Sequence, residues 1–304
     1  MSVQPESTSY FSTPATELDP FLFDGDHLKP WIRHGILDLL ESCLAQYFRG
    51  PETWTRAWIA GSGVSFQWQA ARNPGDLDVL VGVNYPIFRS INQDYSGLSD
   101  NEISKTINDI MREHIMPMTA DWHGYEMTFY VNPDSFDIRA INPYAAYDLS
   151  HDSWTVHADP RAHAPHTRSW ENRTDNDHRR TVDLVRRYQN ALLGVRNATN
   201  PAHRVNAEQR LNLAVEEAVD LFDEIHTGRK IAFSRTGAGY ADFNNYRWQS
   251  GKAKGTIPAL KAIKDYHDDK KTNHDLDTYG IELPDSETLV RRAASMYLST
   301  MGDE

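Results

Sequence analysis

The chain has 304 residues, 39% of them apolar, with 14 Tyr and 8 Trp, enough to bury a core in one large domain or two lobes. A formal net charge of -12 argues against a protein that coats nucleic acid through bulk electrostatics. No run approaches the roughly 20 apolar residues that cross a bilayer, and the N-terminus lacks the basic-then-apolar order of a secretory signal, so the expectation is a globular, cytoplasmic protein with no membrane partner.

In chain order, residues 1–25 are rich in Ser, Thr and Pro without a sustained period and read as a surface tail. From Lys29 to Phe48 apolar positions recur at helical spacing until Gly50-Pro51 stops them; Cys43, the single cysteine, falls inside this pattern and reads as a buried free thiol. Thr55 to Ala60 reads as a short buried strand running into Gly61-Ser62-Gly63, Val64 to Ala71 as a short helix, and Leu77 to Val83 as an apolar, β-branched central strand. Residues 100–116 place Ile103, Ile107, Ile110 and Met111 on one helical face, with Ser99 or Asp100 as N-cap. Tyr125 to Val131 alternates as a strand, and Asp137 to Ile141 suggests a shorter one.

This alternation gives a catalytic-lobe-like α/β (α+β) region with a small mixed sheet over residues 26–150. Residues 151–178, rich in His, Asp, Pro and Arg, read as a linker. Residues 179–304 read as a mostly helical lobe, with helices at Arg179–Leu193, Ala207–His226, Thr256–His267 and Asp285–Thr300, interrupted by a basic loop at 227–255. Between Arg229 and Lys264 eight basic residues accompany a single acid, Asp242, against the trend of the chain. Arg229, Lys230, Arg235 and Arg247 are therefore candidate phosphate ligands, and Tyr240, Tyr246 and Trp248 candidate stacking partners for a base; the plainer alternative is a solvated loop packed on the helical lobe.

The chemistry concentrates at residues 59–81, I-A-G-S-G-V-S-F-Q-W-Q-A-A-R-N-P-G-D-L-D-V-L-V. Carboxylates at i and i+2 on a strand project to one face, so Asp76 and Asp78 are placed to hold hard cations that bridge phosphates, while Leu77 points to the core. Gly61 lets the backbone approach a phosphate, and the Ser62 hydroxyl and neighbouring N–H groups, including that of Gly63, are available to its oxygens.

A strand, Gly-Ser, a spacer (here thirteen residues between Ser62 and Asp76) and Asp-x-Asp at an apolar strand resemble the signature of the DNA polymerase β-like nucleotidyltransferases. The resemblance covers about residues 30–145. It implies transfer of a nucleoside monophosphate from a nucleoside triphosphate to a hydroxyl, with two Mg²⁺ (or Mn²⁺) ions held by Asp76, Asp78 and a third carboxylate, for which Glu126 is the first candidate and Asp137 the alternative. An RNA end, a protein, a small molecule or another nucleotide all remain open as acceptor. The rival from another class is a non-catalytic nucleotide- or partner-binding protein on the same fold.

Overall fold

The chain enters its fold through an arm that the sequence reads as a tail. In the computed structural model, which describes residues 9–68, 75–131, 136–162, 164–165 and 167–279, this arm carries a 3-10 turn at Ser9–Phe11 and a two-stranded ribbon, β1 (Phe23–Asp24) with β2 (His27–Leu28). Tyr10, Leu18, Leu22 and Phe23 are buried, and buried Asp19 accepts hydrogen bonds from the Phe21 N–H and the Tyr125 hydroxyl. The stretch predicted as a surface tail is thus anchored by these side chains, with Leu18, Leu22 and Phe23 in the main core.

After the arm come α1 (Pro30–Leu44), the one-turn α2 (Pro51–Trp54), β3 (Thr55–Ala60), β4 (Gly75–Val83), α3 (Tyr85–Ile91) and α4 (Asp100–His114). Then follow β5 (Tyr125–Val131), β6 (Ala146–Asp148) and β7 (Ser153–Val156). The remaining described elements are helices: α5 (Arg168–Asn197), α6 (Pro201–Ala232), α7 (Phe243–Ala253) and α8 (Thr256–Tyr279).

The five-stranded sheet has the order β5-β4-β3-β6-β7, with β4 and β5 parallel and the other neighbours antiparallel. Its two faces differ because β4 alternates. Leu77, Val79, Val81 and Val83 enter the main core with Ile32, Ile36, Leu40 and Leu44 of α1 and Ile103, Ile107 and Met111 of α4. Helix α4 starts where it does because Ser99 and Glu102 form a reciprocal capping box, satisfying two N–H groups that the helix leaves open. The opposite face has a smaller apolar cluster (Trp58, Ala60, Leu80, Ile138, Ala146) and carries Asp76 and Asp78 beside it.

Several expected elements take another form. The linker at 151–178 holds β7 and the start of α5. Asp137–Ile141 is a 3-10 turn (Ile138–Ala140) capped by the Asp137 side chain, and the helix expected from Val64 is a 3-10 turn at Ser62–Val64. The basic loop at 227–255 is largely helix, from the end of α6 and the whole of α7. Residues 69–71 of one expected helix and all of Asp285–Thr300 lie outside the described residues.

The chain divides into two compact units. The first runs to Arg180 and includes Asp223–Pro258, so it holds the sheet, the end of α6 and α7. The second contains Thr181–Phe222 and the chain from Ala259, with Leu184, Leu211, Ala214, Val215, Ala218, Leu260 and Ile263 buried and an Arg187–Glu217 ion pair. No helix among the described residues is long and apolar enough to cross a membrane.

Candidate functional site

The two aspartates of β4 are set on the face away from the main core by strand alternation alone. Register then supplies their neighbours: Ala60 of β3 lies opposite Asp78 on one side, and on the other Glu126 pairs with Asp76 and Thr128 with Asp78. The Thr128 hydroxyl donates to Asp78 Oδ1 at 3.0 Å. Where β3 ends, Gly61 turns the chain at φ +88, and a Cβ there would lie 3.1 Å from Asp78 Oδ2, so the backbone passes directly over the carboxylate. Gly63 serves packing: its Cβ would meet the Asp76 carbonyl at 2.5 Å, which presses the turn onto β4 and leaves Ser62 facing the cavity. The turn is too short to offer a helix dipole, so the Ser62 hydroxyl and local N–H groups are what it can present to an anion.

Asp76, Asp78, Gly61 and Ser62 line a cavity of about 510 Å³, within the range of small-molecule sites. Burial, and next the adjacent Asp76 carboxylate, push the Asp78 carboxyl up to about 6, against the Thr128 hydrogen bond and the positive charges of Arg229 and Lys252. Arg229, Lys230 and Lys252 line the same cavity with His226, Phe233, Trp248 and Gln249. The Arg229 guanidinium stands 5.0 Å from the Trp248 ring centroid and 5.9 Å from that of Phe233. Among the described residues it makes no ion pair, although Asp78 feels its charge.

Comparison with family models, curated proteins and solved structures finds no match for this chain. The site is therefore read from its own residues. Of those singled out from the sequence, Asp76, Asp78, Gly61, Ser62, Arg229, Lys230 and Trp248 come together at the cavity. Glu126 shares the carboxylate face as the register partner of Asp76, yet it does not line the cavity, and no group of three His, Cys, Asp or Glu among the described residues forms a metal cluster.

Asp137 is engaged elsewhere. It bonds Arg139 and lies 3.6 Å from Arg56, and the Arg139 hydrogen bond holds its carboxyl down at about 2. Arg247 is committed to a bidentate pair with Asp177 (2.7 and 2.9 Å) and to Glu224, outside the cavity, and Arg235 is exposed beyond the end of α6, also outside it. Tyr240 and Tyr246 do not line the cavity either; they pack against Tyr10 from the arm. Sequence reasoning missed Thr128, Tyr130, Tyr144, His226, Gln249, Lys252 and Tyr10. Thr128 and Tyr130 were legible as the same-face neighbours of Glu126 on an alternating strand, whereas the rest depend on how the helices cover the sheet.

Proposed function

We propose that this chain is a metal-dependent nucleotidyltransferase of the polymerase β-like kind, transferring a nucleoside monophosphate from a nucleoside triphosphate to a hydroxyl. The observation that carries this reading is the separation of charge within one cavity. Asp76 and Asp78, with Gly61 and Ser62 beside them, share it with an arginine that is propped on aromatic rings rather than paired to either aspartate. The Arg229 charge, held off both aspartates, can meet one end of a ligand whose other end meets the carboxylates, and a triphosphate carried with a divalent cation has both ends.

The donor set suits Mg²⁺ or Mn²⁺. Two hard carboxylates on one strand face would leave most coordination positions to substrate oxygens and water, the arrangement in which Mg²⁺ is normally held, and burial, then the Asp76 charge, raise Asp78, a cost that a cation would offset. When bound, the cation neutralises phosphate charge and polarises the α-phosphorus. Asp76 and Asp78 would hold it, Ser62 would donate to a phosphate oxygen, and Arg229, Lys230 and Lys252 would offset the charge growing on the leaving pyrophosphate.

The test is pyrophosphate release from each of the four nucleoside triphosphates with Mg²⁺ or Mn²⁺, in the parent and in an Asp76→Ala/Asp78→Ala variant, with tRNA, total RNA and cell extract as acceptors. Release in the parent, reduced by about 10³-fold or more in the variant, is expected. The absence of a third carboxylate in a cluster at the described site favours one rival, a non-catalytic nucleotide-binding protein. That rival predicts binding without release in the parent.

A further inference from the structure

Tyr130 follows Thr128 on the carboxylate face of β5, lines the cavity beside its register partner Leu80, and is 42% exposed. Among the described residues its hydroxyl makes no hydrogen bond and its ring meets no other aromatic ring, although Asp78, Arg229 and Asp76 all lie within electrostatic reach. An amphipathic side chain left with both halves unused at such a place is suited to a ligand.

The helical cover of the cavity is fastened on the side away from β5. Ile141 bridges to Ser234, the Asn142 N–H donates to the Phe233 carbonyl at 2.8 Å, and the Tyr144 and Phe233 rings pack at 5.3 Å. These residues lead into β6, the neighbour of β3, where the Gly61 N–H also donates to the Ala145 carbonyl. The outer strand of the sheet on the opposite side is β5. Phosphoryl transfer needs its attacking and leaving oxygens in line on opposite sides of phosphorus. A pyrophosphate that leaves towards Ser62, at the end of β3, and Lys252, on α7, requires attack from the opposite side, where β5 forms the edge of the sheet.

Resting on the nucleotidyl-transfer reading, we propose that the acceptor enters along β5, that it carries its hydroxyl on a ribonucleoside-type group, and that Tyr130 stacks on the base while its Oη hydrogen-bonds the sugar and orients the attacking hydroxyl. The acceptor oxygen forms its bond to the α-phosphorus as the bond from that phosphorus to the bridging oxygen of pyrophosphate breaks. Pyrophosphate departs towards Lys252, and the acceptor proton passes to water at the β5 side. Although its surface is part exposed, burial by the enclosing cavity wall, and next the Asp78 charge, raise the Tyr130 phenol above its ordinary value, so it remains a hydrogen-bond donor through the neutral range.

The experiment compares the parent with Tyr130→Phe and Tyr130→Ala. Binding of the four nucleoside triphosphates is measured by calorimetry with Ca²⁺, and pyrophosphate release with Mg²⁺ using adenosine or glycerol as acceptor. Both variants are expected to bind triphosphate within about twofold of the parent, while loss of stacking in Tyr130→Ala raises the KM for adenosine by about 10- to 100-fold. Tyr130→Phe, which keeps the ring, is expected to lower kcat by about tenfold with little change in that KM. Weakened triphosphate binding in Tyr130→Ala with an unchanged adenosine KM would place the residue on the nucleotide side and overturn the proposal, as would a parent that uses adenosine no better than glycerol. A parent that binds no triphosphate, or releases no pyrophosphate with either acceptor, overturns the nucleotidyl-transfer reading and the acceptor assignment with it.

Discussion

At the scale of single residues, Asp78 is where stability and the proposed function oppose each other. Its carboxyl is pushed up to about 6, first by burial and then by Asp76. An unfolded aspartate titrates near 3.9, so the native metal-free protein holds this proton more tightly than the unfolded chain does. The stability that follows is complete below about pH 4 and is lost as pH rises through about 6. Asp78→Asn keeps an acceptor for the Thr128 hydroxyl and removes the charge. It is therefore expected to leave the metal-free protein unchanged near pH 4 and to stabilise it by about 1–3 kcal/mol at pH 7.5, the upper end corresponding to the full shift and the lower to screening through the cavity. Thermal melts in a chelator across this range measure the difference. If the variant melts lower than the parent at pH 7.5, the cavity does not disfavour the charge and the case for cation binding at Asp78 weakens.

Among the elements, the arm at residues 9–25 departs furthest from its sequence. Its Ser, Thr and Pro residues are matched in number by Tyr, Phe and Leu, but no period of 2 or 3.6 runs through it, so local pattern does not single out Leu18, Leu22 and Phe23 as core residues. They are buried by tertiary packing on α1 and the sheet, a determinant that local pattern does not carry. The same cause hid α7: asparagines, a glycine and aromatics weaken its helical signal, yet Asn245 is buried and donates to the Tyr240 carbonyl, Ser250 hydrogen-bonds Thr174, and Gly251 lets Ile257 approach closely. Strands β3, β4 and β5 were legible because alternation and β-branching are local, and with them came the placement of Asp76 and Asp78. The ion pairs of Asp137 with Arg56 and Arg139, away from the cavity lining, were not legible in the sequence because they depend on the folded turn. The arm gives a direct check. Leu22 is fully buried, so Leu22→Ala is expected to destabilise the protein by about 2–4 kcal/mol in urea unfolding, where a residue in a surface tail would change it by less than about 0.5 kcal/mol.

For the whole molecule the question is how a chain of net charge -12 admits an anionic substrate. Screening separates the global field from the local one. At about 10 mM salt the Debye length is roughly 30 Å and an approaching nucleotide feels most of the protein's charge, whereas at about 150 mM it is roughly 8 Å and the nucleotide feels chiefly the groups around the cavity. Those groups are Arg229, Lys230 and Lys252 against Asp76 and Asp78, three positive charges against two, a local excess that a cation held by the aspartates would increase. Association of a magnesium-bound nucleoside triphosphate is therefore expected to speed up by about two- to fivefold as salt rises over this range, the reverse of an enzyme that steers its substrate with an oppositely signed global field. Stopped-flow measurement of the association rate against ionic strength reads this directly. A rate that falls instead would mean that the cationic wall of the cavity dominates even at long range, and Lys230→Ala, which removes the most exposed of its charges, should then flatten the salt dependence.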